Sequence, residues 1–190
     1  MNIEKEFIKR KNNTSDINEH LETLFNYGVK SNHITEFGSR FGDSTVALIH
    51  SKPKKMISYD LFKSDFIKEL KEENYSFVQS DTLQVNIEET DLLFIDTLHR
   101  YFQLYNELGL HAKNVKKYII LHDTETYGEV DEPLYAPQIP VKMSEKVIRT
   151  KAKGLKQAIS DFLNTTKEGK NWKIKEIFTN NNGLTVLERQ

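Results

Sequence analysis

Short apolar runs alternate with amphipathic stretches along most of the chain. A continuous apolar run predicts a strand that is buried on both faces, and apolar residues spaced three and four positions apart predict a helix. By these rules five strands follow one another, at 34–37, 56–60, 76–79, 91–95 and 118–121. An Asn-Gly step then separates two further runs, which predicts a closing hairpin formed by 172–178 and 184–187.

Helical stretches are predicted between these strands and before the first of them. Apolar spacing from Ile17 to Phe25 predicts an opening helix that ends at Gly28. The alternation followed by a hairpin predicts an α/β fold, a doubly wound sheet that is mostly parallel with a C-terminal antiparallel hairpin. Roughly 100–200 residues make one domain. We therefore expect a single domain, 1–190, with an N-terminal helical segment at 1–30.

The segment 125–150 departs from this alternation. It contains Pro133, Pro137 and Pro140 and few apolar residues, and it is longer than most connections in compact domains. It follows a strand end, which is where ligands bind in open α/β sheets. We predict that it is a lid loop over a bound substrate; a surface insertion without a role is the alternative.

Composition removes several classes of function. The 190 residues include 27 Lys+Arg and 28 Asp+Glu, a net charge of −1, so no nucleic-acid partner is expected. Cysteine is absent, which excludes disulfides, thiolate zinc sites and thiol nucleophiles. The first sixteen residues are charged throughout, and no apolar run approaches ~18 residues. We expect a cytoplasmic protein without membrane contact; a homo-oligomer is compatible with these features.

The turn after the first predicted strand contains glycines but lacks the residues that bind a phosphate. A P-loop needs lysine where Asp43 stands, and the dinucleotide fingerprint needs a third glycine beside Gly38 and Gly42. Glu36 opens the turn with a negative charge that would repel a phosphate. The turn therefore indicates a cationic or hydroxyl-rich cofactor that lacks phosphates.

Acidic residues follow the next two predicted strands. Asp60 lies 60 − 38 = 22 residues after Gly38, close to the ~20-residue offset at which a carboxylate accepts hydrogen bonds from ribose hydroxyls. Asp81 follows the third strand, where it and Ser80 could meet a base edge. The alternative is that these acids and glycines only form turns.

Four chemically active residues end the fourth and fifth strands. Asp96 and His99 follow the fourth, and His122 and Asp123 end the fifth; adjacent strand ends place them in one pocket. With a divalent cation, the metal ligands are predicted to be Asp96, Asp123 and His122. Without one, His99 or His122 takes a proton while the carboxylates orient the imidazole. The candidate catalytic residues are therefore His99, Asp96 and His122.

These motifs together resemble the class I S-adenosylmethionine-dependent methyltransferases, and more narrowly the branch of cephalosporin-hydroxylase-like proteins and macrolide-sugar O-methyltransferases. The resemblance covers residues 30–189. It is carried by the glycine turn, Asp60, Phe94-Ile-Asp96-x-x-His99-x-Tyr101, Ile120-Leu-His-Asp123 and Asn180-Asn-Asn-Gly-Leu-Thr-Val-Leu-Glu-Arg189. It implies a seven-stranded Rossmann-like sheet, with S-adenosylmethionine on the first half and the acceptor under the loops after strands four and five.

The resemblance implies an O-methyltransferase acting on a hydroxyl of a small molecule such as a sugar or glycosylated metabolite. The alternatives are a non-catalytic partner or sensor subunit that binds the cofactor, and a same-fold enzyme of different chemistry. The predicted cofactor-binding residues are Glu36, Gly38, Ser39, Gly42, Ser44, Asp60 and Asp81.

His99 matches the position from which relatives deprotonate the acceptor, so the resemblance implies that it is the general base. The alternative is a histidine that only forms a hydrogen bond at the start of a helix. Magnesium or manganese is the expected cation. His122 stands where metal-dependent relatives carry glutamate. Because imidazole is a softer ligand than carboxylate, this departure favours manganese, iron or zinc over magnesium.

Overall fold

A computed structural model describes residues 1–133 and 153–190. The predicted lid, 125–150, lies outside these residues from position 134 onward. The helices are α1 Ile3–Asn12, α2 Leu21–Gly28, α3 Asp43–His50, α4 Asp65–Glu69, α5 Tyr101–His111 and α6 Gly154–Thr165. The strands are β1 His33–Phe37, β2 Lys55–Asp60, β3 Tyr75–Gln79, β4 Thr90–Ile95, β5 Val115–His122, β6 Trp172–Phe178 and β7 Leu184–Arg189.

The strands form a seven-stranded sheet in the order β3-β2-β1-β4-β5-β7-β6. β1 to β5 are parallel, and β7 runs antiparallel between β5 and β6. This confirms the doubly wound sheet and the closing hairpin. Strand order reverses where β1 pairs with β4, with Phe37 opposite Ile95. In open α/β sheets a ligand binds beyond the carboxyl ends of the strands at such a reversal.

The sheet carries a hydrophobic core on each face. Alternate residues of β4 point to opposite sides: Leu92 and Phe94 pack in the core that faces α1, α2 and α3. Leu93 and Ile95 pack in the core that faces α5 and α6. All six residues of β4 are buried. This is why the strand reads as a continuous apolar run instead of an alternating one.

The N-terminal segment differs in detail from the prediction. The charged first residues form helix α1, which lies within the predicted helical segment 1–30 although no apolar period marks its bounds. Asn2 caps this helix by accepting from the Lys5 backbone N–H, and Phe7 is buried against the rings of Phe25 and His50. The predicted opening helix begins only at Leu21, after a short 3-10 turn. Within the described ranges no helix has the length and apolar character needed to span a bilayer.

Candidate active site

The glycine turn packs directly against the end of β4. Gly38 has φ +82°, and a Cβ placed on it would lie 1.9 Å from the backbone oxygen of Asp96. Its backbone N–H donates to Tyr59 at 2.9 Å, and the Asp96 N–H donates to Phe37, also at 2.9 Å. The turn therefore holds the ends of β1, β2 and β4 together, and only glycine fits at its first position.

Glu36 lies beneath this turn and is fully buried. Its carboxylate accepts hydrogen bonds from the hydroxyls of Ser44 at 2.7 Å, Thr45 at 2.8 Å and Ser58 at 2.5 Å. Burial raises the pKa of Glu36 to about 7, although the three hydroxyls oppose the shift. Glu36 thus joins α3 to β1 and β2. Its predicted contact with a cofactor would require these bonds to break.

Replacing Glu36 by glutamine is expected to weaken the pH dependence of stability. The folded protein keeps the Glu36 proton up to about pH 7, whereas the ordinary pKa of a free glutamate side chain is 4.5. The free energy of unfolding therefore falls as pH rises through this window, by about 3 kcal/mol for this residue. Urea denaturation at pH 5 and pH 8 measures the fall. It should shrink in Glu36→Gln without vanishing, because Glu107 also has a pKa raised to about 7 by burial. An unchanged fall would contradict the raised pKa.

The other predicted cofactor acids make local bonds at the same edge. Asp60 Oδ2 accepts from the backbone N–H groups of Ser39 and Arg40, both at 2.9 Å, so it fixes the glycine turn. Asp81 accepts from the Leu83 N–H at 2.9 Å and caps the 3-10 turn after β3. A carboxylate can accept about four hydrogen bonds. Asp60 already accepts four, the others coming from the Ser39 hydroxyl and the Phe62 N–H, so a ligand would have to replace one of them, whereas Asp81 accepts two and retains capacity.

A cleft of about 310 Å³ opens above the glycine turn. Its lining includes Gly38, Ser39 and Ser44 on one side and Asp96 on another. The 3-10 turn before α2 is preceded by Ser15, Asp16 and Ile17, which complete the lining. The predicted cofactor turn and the predicted reaction centre therefore share one cavity.

The reaction-centre residues meet as predicted at the ends of β4 and β5. His99 Nε2 lies 3.0 Å from Asp96 Oδ1 and 3.0 Å from Asp123 Oδ2. His122 Nδ1 lies 3.4 Å and 3.3 Å from the same two oxygens. Asp123 has φ +59°, an uncommon conformation for a non-glycine residue that is enriched in aspartate.

Glu132 belongs to this cluster, and the sequence reasoning missed it. Its Oε2 lies 3.0 Å from His99 Nδ1 and accepts the His99 backbone N–H at 3.2 Å. The neighbouring Asp131 accepts from the N–H groups of Tyr101 at 2.8 Å and Gly154 at 3.1 Å. The available signal was the acidic pair before Pro133, at the start of the segment interpreted as a lid.

Comparison with known proteins gives a consistent result for the fold. No family model and no curated protein matches the sequence. Solved structures match over nearly the whole chain. A candidate caffeoyl-CoA O-methyltransferase from Staphylococcus aureus superposes with a TM-score of 0.65 at 12% identity, covering 100% of this chain and 93% of that one. The chain has the fold of a methyltransferase.

Two further methyltransferases agree. A candidate O-methyltransferase from Klebsiella pneumoniae gives a TM-score of 0.61 at 13% identity, over 100% of this chain and 90% of that one. A methyltransferase from Podospora anserina with bound SAH gives 0.58 at 14% identity, over 99% and 87%. Within this methyltransferase fold, the cleft above Gly38 lies at the point where strand order reverses.

Electrostatics dominate the cluster in this methyltransferase fold. Burial alone would lower the pKa of His99, but hydrogen bonds with three carboxylates raise it well above the ordinary value. Burial likewise opposes the shift at His122, where Asp96 and Asp123 raise the pKa to about 10. Both imidazoles are therefore in the protonated, positively charged form at neutral pH. A protonated His99 cannot accept another proton, so its predicted role as a base requires that proton to leave first.

A divalent cation fits the donor atoms that are present. Asp96, His99 and Asp123 offer ligand atoms that all lie within 4.8 Å of one another. Two carboxylate oxygens and an imidazole nitrogen suit a divalent metal. The predicted ligand set named His122 as the imidazole; in the structure His99 lies closer to both aspartates.

Proposed function

We propose that this protein is an S-adenosylmethionine-dependent O-methyltransferase that methylates a hydroxyl of a small molecule at a site holding a divalent cation. One observation carries the proposal. Asp96 lines the cleft above Gly38 and also bonds to His99. A methyl donor in that cleft and an acceptor at the cluster would therefore lie on either side of one residue.

The cleft has the charge that a sulfonium cofactor needs. Its lining includes three carboxylates, Asp16, Asp43 and Asp96, against one cation, Arg40. Asp16 pairs with Arg40 and Asp43 with Arg10, so Asp96 is the carboxylate of the lining that is free of an arginine among the described residues and would favour a positive sulfonium. Gly38 and Ser39 are the proposed contacts for the amino-acid part of the cofactor. Asp60 and Asp81 are the proposed contacts for its ribose and base, as the sequence predicts.

At the cluster, the residues of the chain bind and orient the acceptor and move its proton. When bound, a cation supplies positive charge that lowers the pKa of the acceptor hydroxyl. Asp96 and Asp123 hold the cation and the acceptor beside the cleft. Without a bound cation, His99 would accept the hydroxyl proton at Nε2 once its own proton has left. Where Nε2 binds the cation instead, the acidified hydroxyl would release its proton to water. Most of the rate gain would come from proximity and orientation, because the methyl group is already activated.

The proposed acceptor is a sugar or a glycosylated metabolite, in keeping with the macrolide-sugar branch that the motifs resemble. Two carboxylates beside a cation favour an acceptor that presents neighbouring hydroxyls, which can chelate. The Staphylococcus aureus neighbour is a candidate caffeoyl-CoA O-methyltransferase. Because a caffeoyl group is a catechol, catechols are the natural comparison class.

The test combines cofactor binding with product detection. Calorimetry should show one S-adenosylmethionine bound per chain, and mass spectrometry should then show a mass gain of one methyl group on a member of a sugar and catechol panel. Turnover is expected to stop with chelator and to return with added metal. Absence of cofactor binding would refute the proposal, and binding without turnover on any acceptor would favour a sensor or partner subunit.

A further inference from the structure

We propose that Asp96, His99, His122 and Asp123 form a four-donor site that binds a divalent transition metal, such as zinc, in preference to magnesium. This inference deepens the metal part of the proposed function and rests on it only for the location of the site. Metal binding can be measured without a methyl donor. A failure of methyl transfer would therefore leave the inference standing.

The fourth donor is a buried atom that faces the cluster. His122 is 2% exposed, and its Nδ1 forms no hydrogen bond with any described residue. A buried nitrogen that makes ion-pair contacts but no hydrogen bond of good geometry calls for an explanation. Nδ1 lies 3.4 Å from Asp96 Oδ1 and 3.3 Å from Asp123 Oδ2. A cation between these atoms would satisfy it.

Both histidines are held in the orientation that a ligand needs. His122 Nε2 lies 3.3 Å from the backbone oxygen of Asn181, which can only accept, so Nε2 keeps its proton and the proton on Nδ1 is the one that a cation would displace. His99 Nδ1 lies 3.0 Å from Glu132 Oε2, so a cation would likewise displace the proton on Nε2, which faces the same aspartates. An acceptor on the far nitrogen is the arrangement found behind metal-bound histidines.

The spacing of the four atoms suits one small cation. Oxygen and nitrogen alternate around the cluster at 3.0, 3.0, 3.4 and 3.3 Å. Neighbouring ligands stand about 3.0–3.4 Å apart when each is about 2.0–2.2 Å from a first-row divalent metal. These four nitrogen–oxygen distances are therefore close to those in a complex. Asp96, His99 and Asp123 also lie mutually within 4.8 Å, and His122 borders both aspartates as the fourth donor.

The ligand types decide which metal is preferred. Magnesium takes oxygen ligands and keeps several waters, whereas imidazole suits zinc, copper, iron and nickel. Two imidazoles in a set of four therefore disfavour magnesium. We expect zinc to bind at least about 100-fold more tightly than magnesium.

The experiment titrates the purified, metal-free protein with Zn²⁺, Mn²⁺ and Mg²⁺ in separate calorimetry runs without cofactor. One Zn²⁺ per chain is expected, with Mg²⁺ unable to displace it at millimolar concentration. Long-range ¹H–¹⁵N spectra of the six histidines should show Zn²⁺ on Nδ1 of His122 and Nε2 of His99. Equal or tighter binding of Mg²⁺, or a His122 signal that Zn²⁺ leaves unchanged, would overturn the inference.

Two variants separate ligation from folding. His122→Ala should weaken Zn²⁺ binding by at least about 100-fold, and His33→Gln, at a histidine on the amino end of β1, should leave it unchanged. Glu132→Gln keeps the size of the side chain but loses the charge behind His99, and should weaken binding about 10–100-fold. Thermal melting checks that each variant is folded. If His122→Ala does not fold, the Glu132→Gln variant provides the test. Zn²⁺ binding in Glu132→Gln equal to that of the wild type would contradict the assignment of His99, which Glu132 orients, as a ligand.

Discussion

Replacing Asp96 by asparagine is expected to lower kcat for methyl transfer by about 1,000-fold or more. Asp96 is the residue shared by the cleft and the cluster, so its charge acts on both the donor and the acceptor side. Burial alone would raise the pKa of Asp96, but His122 and His99 hold it well below its usual range. The wild-type carboxylate is therefore ionised across the working pH range, and asparagine removes that charge at every pH.

The measurement is a comparison of kcat with the dissociation constant of S-adenosylmethionine. We expect the dissociation constant to change by no more than about tenfold, since one polar contact is worth about 1.4 kcal/mol. Asp65→Asn is a matched control, because that carboxylate is 94% exposed and pairs only with Lys68 among the described residues. An Asp96→Asn variant that keeps more than about a tenth of wild-type kcat would contradict a central role for this carboxylate.

The fold could be predicted because its signals are local. The apolar run at Leu92 to Ile95 is continuous because its residues pack alternately into two cores, one on each face of the sheet. The Asn-Gly step at Gly183 marks the position of the hairpin turn within a few residues. The bounds of helix α1 escaped prediction because Phe7 is its one buried residue. A single apolar anchor among charges carries no helical period.

The candidate site could be predicted only in part, for a geometric reason. Parallel strands end at one edge, so Asp96 and Asp123 had to converge whatever the loops did. Glu132 is different, because it lies 33 residues after His99 in the sequence, in the irregular loop that follows β5. The same holds for Asp60, whose bonds to the glycine turn depend on the path of the backbone at Ser39. No spacing rule encodes contacts of this kind.

Replacing Gly38 by alanine is expected to abolish binding of S-adenosylmethionine and to destabilise the fold by about 2–4 kcal/mol. The added Cβ would lie 1.9 Å from the Asp96 backbone oxygen and would sit on a residue with φ +82°. Backbone cannot move aside as a side chain can. The glycine turn and the end of β4 would therefore separate, and the cleft between them would lose its shape.

Gly109→Ala is the matched control for this effect. Gly109 lies within α5, and a Cβ placed there meets nothing within 4 Å. Because alanine favours a helix over glycine by about 1 kcal/mol, this variant should be slightly more stable than the wild type and should bind the cofactor normally. Urea denaturation and calorimetry of the two variants, measured side by side, separate the effect of an added methyl group in general from its effect on stability and cofactor binding at the turn.

Equal behaviour of the two variants would mean that the contact between Gly38 and Asp96 does not shape the site. A folded Gly38→Ala protein that still binds the cofactor would place the binding site elsewhere on the sheet.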